Sequence, residues 1–238
     1  MPPRRGDLRL RRLEVLWGDV ADRTVYPYSI PALRDLQRLD LPGPVTFLTG
    51  ENGSGKSTLV EAIAIAAGIN PGGGSRNLVS RQRSTESSLG DHLRLVWGTR
   101  PETAFLLRAE TFFDTASAFA GSGTHGLHEQ SHGEQFLDAA ATLIYAGGFC
   151  LMDEPESALS VIGQLGLLRR IHELVGQDTQ FVIATHSPVL LAYPGATIYR
   201  FDDGGIDAIA YEESEPYTLT KSFLDAPDRY LQHLFADD

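Results

Sequence analysis

The chain of 238 residues has little cysteine, little lysine and no long apolar run. Cys150 is the only cysteine, so no disulfide can form within the chain. Its place in Phe149-Cys150-Leu151-Met152 makes it a core thiol. Lysine occurs only at Lys56 and Lys221, against 18 arginines. Acidic residues outnumber basic ones by 31 to 20, and the net charge is −11. No strongly basic surface dominates, so non-specific binding to nucleic acid is not favoured overall. The longest nearly apolar run, Ala139 to Met152, is broken by Thr142, Gly147 and Gly148 and is too short to span a bilayer. The basic N-terminus is not followed by an apolar stretch of the signal-peptide kind. These absences predict a cytoplasmic chain with no transmembrane segment of its own. A hydrophobic content of 42% and a charged content of 21% are those of a globular protein.

The charge is unevenly placed. Arg4, Arg5, Arg9, Arg11 and Arg12 form a basic arm over residues 1–12, and from Asp202 onward ten acidic residues face two basic ones. The plain reading is a solvated arm and an acidic extension over 212–238; an interaction surface is the sharper one.

Gly50-Glu51-Asn52-Gly53-Ser54-Gly55-Lys56-Ser57-Thr58 fits G-x-x-x-x-G-K-[ST], the phosphate-binding P-loop or Walker A pattern. The β-branched, apolar run Val45 to Thr49 before it reads as a buried strand, and Leu59 to Ala67 after it as a helix. Strand, glycine loop and helix are the context that the motif requires. The loop N–H groups can then form an anion nest at a helix N-terminus, with Lys56 reaching the terminal phosphates and Ser57 ligating Mg²⁺.

Along the chain, Leu13 to Val20 reads as a first strand. Tyr26 and Tyr28 stand where an aromatic side chain can stack on adenine or simply pack. Apolar residues at 30, 33, 36 and 39 predict a helix over Ile30 to Leu41, ended by Pro42-Gly43-Pro44. Arg76 to Gly90 is polar and without period. Leu93 to Trp97 and Thr103 to Arg108 read as two strands about a turn. His125, His128 and His132 fit no familiar metal-ligand spacing. Glu134 to Tyr145 reads as a helix. Phe149 to Met152 reads as a buried parallel strand, with ligand chemistry at its C-terminal end. Pro155 opens a helix running to about Val175, with Leu165, Leu168, Ile171 or His172, and Val175 on its apolar face. Phe181 to Thr185 is another buried strand, Thr197 to Phe201 and Ile206 to Tyr211 a hairpin, and Asp228 to Phe235 a closing helix. The alternation predicts a single α/β P-loop NTPase domain over 1–238 with a mainly parallel central sheet and a small inserted segment over about 70–135.

Asp153-Glu154 after an apolar strand fits a Walker B, with Asp153 holding Mg²⁺ and Glu154 polarising the attacking water. Ser131-His132-Gly133-Glu134-Gln135 lies ahead of that strand, and Ser131 is 22 residues before Asp153. It resembles the LSGGQ signature of ATP-binding-cassette (ABC) ATPases, with His132 and Glu134 as departures. Glu156-Ser157-Ala158-Leu159-Ser160 resembles that family's D-loop, with Ser160 where Asp is usual. His186, 33 residues after Asp153 at a strand end, resembles its switch histidine. For the Q-loop, Gln82 and Glu110 are both candidates. The Asp-Glu-Pro-Glu-Ser-Ala-Leu and Thr-His-Ser-Pro stretches look closer to soluble bacterial ATPases of the SMC and DNA-repair branch than to a transporter subunit.

The resemblance implies an ABC-type core that binds ATP and Mg²⁺ and hydrolyses ATP in an ATP-dependent homodimer. Gly50, Asn52, Gly53, Ser54, Gly55, Lys56, Ser57 and Thr58 would bind nucleotide in one copy, and Ser131, Gly133 and Gln135 would complete the site from the other. Ser57 and Asp153 would hold the metal, and Lys56, Glu154 and His186 would act in hydrolysis. The 74 residues between Lys56 and Ser131 are too few for a long coiled-coil arm. A transporter subunit with a membrane partner and a nucleic-acid-associated ATPase remain as alternative settings.

Overall fold

The computed structural model describes residues 9–71, 74–75, 88–108 and 146–236. Its strands are β1 (Leu10–Val15), β2 (Arg38–Asp40), β3 (Val45–Gly50), β4 (Gly74–Ser75), β5 (Leu93–Trp97), β6 (Ala104–Arg108), β7 (Phe149–Asp153), β8 (Gln180–Ala184), β9 (Thr197–Asp202) and β10 (Gly205–Ile209). Its helices are α1 (Pro31–Arg34), α2 (Lys56–Ala67), α3 (Val161–Val175), α4 (Pro188–Leu191), α5 (Glu215–Asp225) and α6 (Pro227–Leu234).

The central sheet has the order β10-β9-β3-β8-β7-β6-β4. From β9 to β6 all neighbours are parallel, and β10 and β4 are antiparallel edges. Strands covered on both faces need apolar residues at every position, and β3 and β8 are buried throughout. Alternate residues serve two cores. Leu48, Leu151, Val182 and Phe201 face α2 and the N-terminal elements, whereas Phe47, Met152, Phe181 and Ile183 face Leu167, Ile171 and Leu174 of α3.

A second sheet, β2-β1-β5, is antiparallel and packs into the core on the α2 side. A side chain ties it to the central sheet. Gln180 Oε1 accepts the Leu10 N–H at 2.7 Å, and Gln180 Nε2 donates to the Leu10 carbonyl at 2.8 Å. This buried amide pairs with the β1 backbone as a neighbouring strand would. Of the expected insertion at 70–135, the described strands belong to the two sheets: β5 pairs with β1, and β6 with β7. The two strands expected about one turn are therefore not partners of each other.

The helix expected over Ile30 to Leu41 is corrected. Only Pro31–Arg34 is helical, and Arg38–Asp40 pairs with β1. The four apolar residues are all buried, at 1–9% exposure, but on a helical turn, a loop and a strand in succession. Tertiary demand fixed the loop: Trp17 Nε1 donates to the Leu36 carbonyl at 2.7 Å. The strand expected over Leu13 to Val20 also ends early, with Trp17–Asp19 forming a 3-10 turn. The helix after Walker B is split. Pro155–Ala158 forms a 3-10 turn, and α3 starts afresh with Ser160 as its N-cap, its side chain accepting the Gly163 N–H. The buried face of α3 is Gln164, Leu167, Ile171 and Leu174, so the expected face through Leu165 is displaced by one residue. Helix α5 was not expected; it precedes the predicted C-terminal helix. It carries Lys221, which donates to the Tyr217 hydroxyl at 3.2 Å. Among the described residues no helix is long and apolar enough to cross a membrane.

Candidate nucleotide site

The site is built on the C-terminal ends of three adjacent parallel strands, β3, β8 and β7. β3 runs into the loop Glu51–Gly55, and α2 begins at Lys56. Gly50 has φ +143 and lies against the Phe201 carbonyl of β9, which leaves no room for a side chain. The loop and α2 are joined by the Leu59 N–H donating to the Gly55 carbonyl at 2.9 Å.

Lys56 is only 3% exposed. Its Nζ donates to the carbonyls of Gly50 and Glu51, each at 2.8 Å, which holds the ammonium inside the loop. Burial pushes its pKa below the usual lysine range, while the charges of Glu154, Asp153 and Glu156 pull it back up. Ser57 Oγ donates to Asp153 Oδ1 at 2.9 Å across 96 residues of sequence. An alcohol and a carboxylate oxygen converging in this way are hard donors of the kind Mg²⁺ takes, leaving its other positions for water and phosphate oxygens. These residues fit that metal. Among the described residues no group of three or more His, Cys, Asp or Glu side chains is placed to hold a metal.

Glu154 follows β7 in a left-handed conformation, φ 48 and ψ 51, with its N–H donating to the Ala184 carbonyl at 2.9 Å. For a non-glycine residue such a backbone costs about 1–3 kcal/mol and persists where the surroundings enforce it. It turns the carboxylate toward β8, where Glu154 Oε1 stands 3.7 Å from His186 Nε2. His186 Nε2 has no hydrogen-bond partner, nor does Ser54 Oγ in the loop. The turn carrying His186 is fixed from below. Ser187 Oγ caps α4 by accepting from the N–H groups of Val189 and Leu190, and it donates to Gln164 Oε1 at 2.6 Å.

A cavity of about 320 Å³ opens over this cluster, lined by Tyr26, Ile30, Gly53, Lys56, Ser57 and Glu154. Tyr26 is exposed, and its hydroxyl lies 3.3 Å from Thr58 Oγ1. Tyr28 is buried; its hydroxyl donates to Ser88 Oγ and its ring packs edge-on against Trp17. Tyr28 is therefore packing, and Tyr26 alone of the pair borders the cavity. A second hollow of about 470 Å³ lies across the loop against Glu51, Arg200, Asp202, Asp203 and Glu215. Its four carboxylates outnumber the one guanidinium, which is already paired with Asp202, so it is a poor host for phosphate.

The structure thus brings together Lys56, Ser57, Asp153, Glu154 and His186, drawn from three parts of the sequence. Asn52 and Gly53 border the same cavity. The proposed signature residues Ser131, Gly133 and Gln135, the Q-loop candidates Gln82 and Glu110, and the three clustered histidines lie outside the described residues. The place of Arg108 in the site escaped the sequence reading, and Glu156 was read only as the first residue of the D-loop-like stretch. Glu156 accepts the His186 N–H at 2.6 Å through Oε1. Arg108, at the end of β6, reaches Asp153 Oδ2 at 3.4 Å and Glu61 Oε2 at 2.9 Å. A lone arginine closing an apolar strand was the only available signal for Arg108.

A family model described as an AAA domain matches residues 28–98. Two curated proteins are similar. One is an uncharacterized ABC transporter ATP-binding protein of Haemophilus influenzae, 29% identical over 45% of this chain and 42% of its own length. The other is the aliphatic sulfonates import ATP-binding protein SsuB of Delftia acidovorans, 30% identical over 61% of this chain and 63% of its own. The chain thus spans less than two thirds of these relatives. Among solved structures, the SMC head domain from Thermotoga maritima aligns with a TM-score of 0.49 at 15% identity, covering 85% of this chain and 98% of that one. A nucleotide-free ATP-binding cassette from an ABC transporter aligns with a TM-score of 0.49 at 15% identity, covering 93% and 97%. The fold is α/β with a mainly parallel sheet and a phosphate-loop strand, turn and helix, and the chain is similar over part of its length to ATP-binding-cassette ATPases.

Proposed function

We propose that the chain is a cytoplasmic ATPase that binds Mg-ATP at the P-loop and hydrolyses it at a site completed by a second copy. The observation that carries this reading is the convergence of Ser57 on Asp153, with Lys56 on one side and the Glu154–His186 pair on the other. Lys56 and the loop N–H groups meet the phosphate charge. Ser57 and Asp153 would hold Mg²⁺, which would supply charge neutralisation for the bound phosphates. Glu154 accepts a proton from, and orients, the attacking water. His186, whose Nε2 stands 3.7 Å from Glu154 Oε1, senses the γ-phosphate. Ser131, Gly133 and Gln135 of the second copy complete the site in trans. The chemistry is mainly positioning and electrostatics.

The test is the solution mass of Glu154→Gln by light scattering with and without Mg-ATP. A shift from monomer to dimer only with Mg-ATP is expected. A variant that binds ATP and remains monomeric overturns the composite site. One that binds no ATP overturns the nucleotide reading itself.

The process that hydrolysis drives has two settings. The names of the two curated relatives favour a nucleotide-binding subunit of a transporter, which would co-purify with a membrane protein. The Asp-Glu-Pro-Glu-Ser-Ala-Leu and Thr-His-Ser-Pro stretches favour a nucleic-acid-associated ATPase, in which nucleic acid would stimulate hydrolysis.

A further inference from the structure

Arg108 closes β6 in register with Asp153 at the end of β7. The side chains of Arg108, Glu61 and Asp153 are 19%, 16% and 11% exposed, so their charges are only partly screened by water. The two carboxylate oxygens of Asp153 have separate neighbours: Oδ1 accepts from Ser57, and Oδ2 faces the guanidinium. An arginine does not give up its charge in a protein. One standing this close to a metal-ligating carboxylate opposes a divalent cation at that carboxylate. Glu61, on α2, gives the guanidinium a second anchor at 2.9 Å and holds it on the inner side of the site.

We propose that Arg108 is a positioning residue that keeps Asp153 charge-compensated, so that the divalent cation is accepted only together with nucleotide phosphates. The inference rests on the Mg-ATP reading of the same site. Phosphate oxygens add enough negative charge to outweigh the guanidinium. The cation alone meets a carboxylate already compensated. Metal and nucleotide therefore arrive as a unit, and free Mg²⁺ does not occupy the site in advance.

The experiment titrates Mn²⁺ into the nucleotide-free full chain and follows free Mn²⁺ by electron paramagnetic resonance. Arg108→Met is expected to bind Mn²⁺ at least about tenfold more tightly than the parent chain. Adding Ser57→Ala is expected to abolish that gain, which separates this site from the other carboxylates of an acidic chain. Arg108→Lys keeps the charge and is expected to remain near the parent. An unchanged Mn²⁺ affinity in Arg108→Met overturns the proposal, even if thermal stability falls, because that result marks a purely structural arginine. A gain that survives Ser57→Ala also overturns it. If Arg108→Met does not fold, Glu61→Gln takes its place. With its second anchor neutralised, Arg108 bears on Asp153 alone, and Mn²⁺ is expected to bind no more tightly than to the parent; tighter binding overturns the proposal. Binding of a fluorescent ATP analogue to the parent chain checks the underlying reading separately. Failure there removes the nucleotide site, whereas nucleotide binding with unaltered Mn²⁺ affinity in Arg108→Met removes only the role of Arg108.

Discussion

Glu156 Oε1 accepts the backbone N–H of His186 at 2.6 Å and so ties the turn after β7 to the turn after β8. A carboxylate accepting from a partly buried N–H is a strong, short bond. It fixes the backbone from which the imidazole projects toward Glu154. Glu156→Ala is expected to lower kcat for ATP about tenfold while nucleotide affinity changes less than about threefold, because the loop that holds the phosphates is untouched. Steady-state hydrolysis and equilibrium binding of a fluorescent analogue measure the two separately. A fall in affinity as large as the fall in kcat would mean that Glu156 serves binding instead.

Lys56 predicts an alkaline limb. Burial lowers its pKa from 10.5, so the unfolded chain holds this proton more tightly than the folded one. The folded state gains stability from this group as pH rises through the lowered value toward 10.5. Phosphate binding runs the opposite way, since only the ammonium attracts it. Nucleotide affinity is expected to weaken over that same window, before pH reaches 10.5. Dissociation constants measured across alkaline pH check this; an affinity flat up to 10.5 would contradict it.

Gly50→Ala is expected to be severely destabilising, by about 2–4 kcal/mol or more. The new methyl group would run into the Phe201 carbonyl on β9, and backbone cannot step aside as a flexible side-chain end can. Chemical denaturation should show the midpoint falling with an unchanged slope. A near-native midpoint would mean that β9 is free to slide against β3.

Gln180→Leu is expected to cost about 2–4 kcal/mol, because it leaves the N–H and C=O of Leu10 without their partners at a buried position. The loss should appear first as faster amide exchange in β1, with β3 and β8 still protected. Uniform loss across the central sheet would indicate that the two sheets unfold as one.

The sequence showed most clearly what is local and periodic. Val45 to Lys56 gave strand, loop and helix because the motif carries its own context, and the all-apolar β7 and β8 announced a covered sheet. Ile30, Leu33, Leu36 and Leu39 were legible as buried but not as a turn followed by a strand, since a spacing of three serves either arrangement once the neighbours decide the backbone. The face of α3 was misplaced because Gln164 is buried. Its amide is satisfied by the Leu159 carbonyl and Ser187 Oγ, a match no hydropathy pattern contains. Within the site, Ser57, Asp153 and His186 were legible as motif members. Glu156 was legible as the start of the D-loop-like stretch, but its backbone contact to His186 and the strand register that brings Arg108 to Asp153 leave no mark in composition or spacing.

The two lysines have opposite surroundings, with a practical consequence. Lys56 is enclosed by the loop that it anchors, whereas Lys221 stands on an exposed helix beside Tyr217. An acylating dye or a biotin ester offered to the folded chain meets one ready side-chain amine at Lys221, far in sequence from the phosphate loop. The same reagent becomes a clock for the loop itself: the rate at which Lys56 is modified records how often that enclosure opens, and nucleotide should slow it.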